Sequence, residues 1–125
     1  MASYKKMNRW YSLTNIGCSD SNKIFGKIFA EAEAGEDSPW FSGHFPGAPI
    51  LPGIAQLALV LDSLQEAFKS NLRIAGLTRV RFRKIIKPGD SLEINVINNK
   101  GDAKTYSFKI MIKDEIACAG TLLLK

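Results

Sequence analysis

The chain is poor in side chains that hold transition metals. Among 125 residues it has one histidine, His44, and two cysteines, Cys18 and Cys118, a hundred positions apart. That separation makes neither a metal-ligand motif nor a disulfide framework. No metal is expected, and the cysteines read as small apolar residues in a reduced compartment. Long hydrophobic runs are also lacking. The longest, Ile50 to Leu61, is too short to span a bilayer and is interrupted by Pro52 and Gln56. The opening residues, MASYKKMNRWYSLTN, are positively charged but have no following apolar stretch and no small-residue cleavage pattern. A secretory signal is not expected, and a cytoplasmic location is. There is no repeat, low-complexity tract or linker, so residues 1–125 form one expected domain with one site.

What is present is an ordinary globular composition, 46% hydrophobic and 23% charged, with a net charge of +5. The charge suggests an acidic partner without saying which. Arg79, Arg81 and Arg83 alternate with Thr78, Val80 and Phe82, which on a strand places three guanidinium groups on one face, and Lys84 and Lys87 extend the cluster. That face is either a docking patch or a solvated outer surface. It lacks a helix-turn-helix pattern or a stacking-aromatic motif, so nucleic acid is not an expected partner.

Strands are expected over Trp10–Ile16, Lys23–Ala34, Gly76–Ile86, Ser91–Asn99, Lys104–Lys113 and Glu115–Leu124. Turns are expected at Gly35–Ser38, in KPGD and NNKGD, and at a tight Lys113–Asp114 reversal. The one helix should begin near Pro52 and Gly53 and run to about Ser70, with a first half apolar almost all round and buried on most sides. The class is α+β, an antiparallel sheet wrapped around a long buried helix.

Chemistry is concentrated at His44, inside SPWFSGHFPGAPILPG. Histidine moves protons near neutral pH, and Pro46, Pro49 and Pro52 stiffen the segment that holds it. At Gly53 a helix amino terminus offers unpaired N–H groups to a developing oxyanion. Two blander readings are a histidine hydrogen-bonded in a turn and a polyproline ligand built on the three-residue proline spacing. The second is disfavoured, because the segment is flanked by Phe41, Phe45, Ile50 and Leu51 and runs straight into an apolar helix.

Phe41-x-Gly43-His44-Phe45-Pro46-x-x-Pro49-Ile50-x-Pro52-Gly53 resembles the active-site motif of the β-hydroxyacyl-acyl carrier protein dehydratases of fatty acid synthesis. Arg81 to Leu92, with its PGD turn, and Ile116-Ala117-Cys118-Ala119 are similar to later strands of that family. The resemblance covers nearly everything after Trp10. It implies a hotdog fold and a homodimer or higher oligomer with two sites at the subunit interface. It further implies an acyl carrier protein partner bearing a phosphopantetheine thioester, and no cofactor. By resemblance, His44 would take the C2 proton and the Gly53 N–H would bind the thioester carbonyl. Phe45, Pro46, Ile50, Pro52, Gln56 and Ala58 would face substrate, and the basic residues 79, 81, 83, 84 and 87 would dock the carrier.

Two departures stand out. The family's catalytic Glu or Asp falls fourteen residues after the histidine, where this chain has Ala58. The nearest substitute is Asp62, about 40° around and roughly 6 Å along the helix, either a relocated acid or a polar residue on a wet flank. Gln56 could orient a hydroxyl or water but is a poor proton donor. The second departure is Asn8-Arg9-Trp10-Tyr11 in place of the family's usual amino-terminal segment. The leading expectation is therefore a 3-hydroxyacyl thioester dehydratase. A catalytically impaired acyl-thioester-binding subunit comes next, and a hotdog thioesterase third.

Overall fold

A computed structural model describes residues 5–7, 11–18, 27–34, 51, 53–68, 71–98 and 104–125. Among these described residues seven strands, β1 (Lys5–Met7), β2 (Ser12–Cys18), β3 (Lys27–Glu33), β4 (Ile74–Phe82), β5 (Leu92–Asn98), β6 (Thr105–Ile112) and β7 (Glu115–Leu124), form one antiparallel sheet in the order β1-β2-β3-β5-β6-β7-β4. One helix, α1 (Gly53–Phe68), packs against β2, β3, β5 and β6. This is the hotdog arrangement, a sheet curled round a single helix.

Alternation sets the core. In β5, Leu92, Ile94 and Val96 are buried while Glu93 and Ile97 face out, and in β6 the same period buries Tyr106, Phe108 and Ile110. From the helix, Ala55, Leu59, Val60 and Leu64 meet this face at the spacing of one side of an α-helix. The helix begins and ends within two residues of the expected limits. The strand Glu115–Leu124 is as expected, and Lys113, at φ 55°, makes the reversal before it. The pairing strand β1 was not expected. The Gly35–Ser38 turn lies outside the described residues, as does most of NNKGD.

Two expectations need correction. The first half of α1 is not buried on most sides, because Ile54 is 68% exposed and Ala58 also faces solvent. The helix is wrapped on one side only within a single chain. Nor do the three arginines follow strict strand alternation. The register of β4 on β7 shifts between Thr78 and Arg81, and Arg79 takes φ 55°, a left-handed conformation. This bulge places Arg79 and Val80 together against the single position of Gly120, between the Thr78–Thr121 and Arg81–Ala119 pairs. Val80 packs back onto Gly120, where an added Cβ would meet its Cγ2 at 3.0 Å. Arg83 lies just beyond the end of β4.

Candidate active site

The residues on either side of the segment that carries His44 are held by backbone hydrogen bonds. Ala34, after β3, accepts a hydrogen bond from Gly89 N at 2.8 Å, and Leu51 N donates to Ile86 O at 2.9 Å. Both flanks of residues 35–50 are thus fixed to one stretch, Ile86–Gly89. That stretch is itself rigid. Gly89 adopts φ 84°, open to glycine at little cost, and Lys87 N donates to Asp90 Oδ2 at 2.8 Å across the PGD turn. His44, Phe45, Pro46, Ile50 and Pro52 lie outside the described residues.

The helix amino terminus follows at once. Gly53 opens α1 beneath the ring of Phe82, and a Cβ added there would stand 2.6 Å from Phe82 Cζ, so the ring's place depends on this residue being glycine. One turn on, Gln56 is buried, 4% exposed, and its Nε2 donates to Leu51 O at 3.1 Å. Gln56 Oε1 is buried without a hydrogen-bond partner. Leu51, Gly53, Gln56, Phe82, Arg83, Lys84 and Ile85 line an open cavity of about 300 Å³. The cavity joins the helix terminus to the basic stretch after β4.

The expected basic residues, Arg79, Arg81, Arg83, Lys84 and Lys87, are all exposed. They are not equivalent. Lys84 Nζ is 2.6 Å from Glu115 Oε2, which holds the Glu115 carboxyl below its usual range through the hydrogen bond and then the lysine's charge. Arg83 N and Lys84 N both donate to Ala117 O, at 2.8 and 3.2 Å, tying this stretch to β7.

Asp62 is partly buried, and its Oδ2 accepts a hydrogen bond from the Tyr11 hydroxyl. Ala58 is exposed one turn before it. Sequence reasoning did not pair Tyr11 with Asp62, since nothing local links residues 51 apart. Cys118 is a buried free cysteine, its thiol pushed up to about 11 by burial. Among the described residues no cluster of His, Cys, Asp and Glu could hold a metal, and no described helix is long and apolar enough to cross a membrane.

A helix amino terminus that lines a cavity, within a sheet curled around that helix, and hydrogen bonds that tie Ala34 and Leu51 to Ile86–Gly89 are the features of a hotdog protein. The family model for ApeI-like proteins, described as ApeI dehydratase, matches residues 20–121. The chain is 38% identical over 96 residues to the 3-hydroxyacyl-[acyl-carrier-protein] dehydratase FabZ of Caldicellulosiruptor bescii, covering 70% of this chain and 69% of that one. A chain of the dehydratase heterocomplex ApeI:P from Xenorhabdus doucetiae superposes with a TM-score of 0.71 at 20% identity, over 99% of this chain and 98% of that one. An uncharacterized protein from Erwinia carotovora subsp. atroseptica superposes with a TM-score of 0.70 at 23% identity, over 100% and 97%. The protein belongs to the ApeI-like dehydratase family.

Proposed function

We infer that the chain catalyses reversible removal of water from a 3-hydroxyacyl thioester carried on acyl carrier protein, in fatty acid or specialised lipid synthesis. His44 takes the proton from C2. The electron pair released becomes the C2=C3 double bond as the C3–O bond breaks, and the hydroxyl leaves as water after receiving a proton from a carboxylic acid. The N–H groups at the start of α1, beginning at Gly53, bind the thioester carbonyl oxygen as charge builds on it. Phe45, Pro46, Ile50 and Pro52 belong to the wall around the acyl group. The elimination is redox-neutral, and a cytoplasmic location goes with this reading.

The observation that carries this reading is the cavity at Gly53, which is lined both by the start of α1 and by Arg83 and Lys84. A thioester entering from an acidic carrier would pass the cations before its carbonyl reached the helix. Arg79, Arg81, Arg83, Lys84 and Lys87 are the docking surface in this account.

Asp62 is the acid we assign, with Tyr11 as the group that orients it. Asp62 is nine positions after Gly53, which places them on opposite sides of α1 and roughly 14 Å apart along it. One helix therefore cannot bring both groups to one substrate. Each site needs a second copy of α1, so we assign a homodimer or higher homo-oligomer. Exposed Ile54 and Ala58 on α1, half-exposed Phe82 and Ile85, and the terminal position of β4 in the sheet supply the surface it would cover.

Purified protein should hydrate a trans-2-enoyl thioester without hydrolysing it. Thioester cleavage with no hydration would make the chain a thioesterase, and binding with neither reaction an accessory subunit. Sedimentation should give a dimer or larger species, and a 13.8 kDa monomer at micromolar concentration would remove the second helix from the site.

A further inference from the structure

The geometry points to Gln56 as the residue that accepts the hydrogen bond of the substrate's 3-hydroxyl, and so distinguishes hydroxyacyl from enoyl thioester. This rests on the dehydratase reading above and adds a specific contact to it.

The orientation of the Gln56 amide is set by its surroundings. Its nitrogen faces Leu51 O at 3.1 Å, an atom that can only accept, so the other end of the amide must be the oxygen. That oxygen is buried and unpartnered in a residue 4% exposed. Buried polar atoms in folded proteins are nearly always paired, and an orphan calls for a donor. Gln56 lines the same cavity as Gly53, and three residues of helix put it about 60° round and roughly 4.5 Å along from the amino terminus. In a 3-hydroxyacyl thioester the hydroxyl stands two carbons from the carbonyl. With the carbonyl on the N–H groups at Gly53, the hydroxyl falls within the span that Gln56 covers.

The ligand's donors narrow the choice. The acyl part of a 3-hydroxyacyl thioester has one O–H, and the enoyl product has none. Gln56 transfers no proton. It holds the hydroxyl by its hydrogen, so that an oxygen lone pair is free for the acid. A site built to pair a substrate hydroxyl discriminates strongly against a ligand that lacks it.

The test is Gln56→Met, which keeps length and bulk but removes the acceptor, with both directions of the reaction measured. Because the ratio of forward to reverse kcat/KM is fixed by the equilibrium constant, a contact made to hydroxyacyl substrate and transition state must appear differently in each direction. For dehydration, KM should rise about tenfold with kcat held; for hydration, the enoyl KM should hold and kcat fall about tenfold. The variant also loses the bond to Leu51 O. If that were its whole effect, displacement of the segment would raise both KM values or lower both kcat values, and the proposal would fail. Unchanged kinetics in both directions would equally overturn it.

A second measurement does not depend on the variant folding. In otherwise intact His44→Ala protein, 3-hydroxybutyryl pantetheine should bind about tenfold more tightly than butyryl pantetheine. Equal affinities would overturn the proposal. A wild type that performs neither dehydration nor hydration contradicts the proposed function itself, a result distinct from either failure above.

Discussion

The hydroxyl of Tyr11, just ahead of β2, donates to Oδ2 of Asp62 in the middle of α1. The contact spans 51 residues of sequence and holds a carboxylate one helical turn beyond the position filled by Ala58. A half-buried carboxylate with an orienting partner is a positioned group, which is what acid catalysis needs. If Asp62 has taken over the work of a carboxylate at position 58, Asp62→Asn should lower dehydration by about 10²–10⁴-fold. Adding Ala58→Glu to that variant should recover part of the loss. Wild-type turnover in Asp62→Asn would show that this carboxylate is structural. Tyr11→Phe should cost about 1 kcal/mol in urea unfolding, the ordinary worth of one hydrogen bond.

Cys118 supplies a pH signature of the core. Burial moves its thiol from 9.0 to about 11, so between these values the unfolded chain has released a proton that the folded chain retains. Its contribution to stability is complete below about pH 9 and is lost as pH rises toward 11. Urea midpoints at pH 8 and 10.5 should therefore fall further for wild type than for Cys118→Ala. Equal falls would mean that the thiol ionises in the folded protein as it does in the open chain.

The basic residues in the second half of β4 and just beyond it are exposed, so any pull they exert on an acidic carrier would act at a distance. Carrier affinity should weaken as salt is added, and reversal of Arg79, Arg81 or Arg83 should slow association more than it speeds dissociation. Lys84 should matter less, since it already serves Glu115. Kinetics by surface resonance would separate the two rates. Affinity unchanged by all three reversals would reduce the stretch to a solvated face.

How far the sequence speaks depends on the range of the interaction. The helix, the β7 strand and the turn at Lys113 are readable because 3.6-residue and two-residue periods and turn chemistry are local. The bulge at Arg79 is not, since periodicity treats each residue as one step, whereas here two residues share one partner position. Exposure of Ile54 and Ala58 was missed because an apolar helix start looks buried whether its own sheet or a second chain covers it. The motif around His44 was legible as residue types. The fastening of its flanks to Ile86 and Gly89, the Tyr11–Asp62 bond and the orphaned Gln56 oxygen all arise from tertiary approach, which carries no local mark.

The central claim is dehydration dependent on His44. The most direct measurement is conversion of a 3-hydroxyacyl-acyl carrier protein thioester to the trans-2-enoyl product by wild type and by His44→Ala at equal concentration. The account predicts turnover on the order of 1–10³ s⁻¹ for wild type and its abolition in the variant. Equal rates in the two proteins, or no enoyl product from wild type, would contradict it.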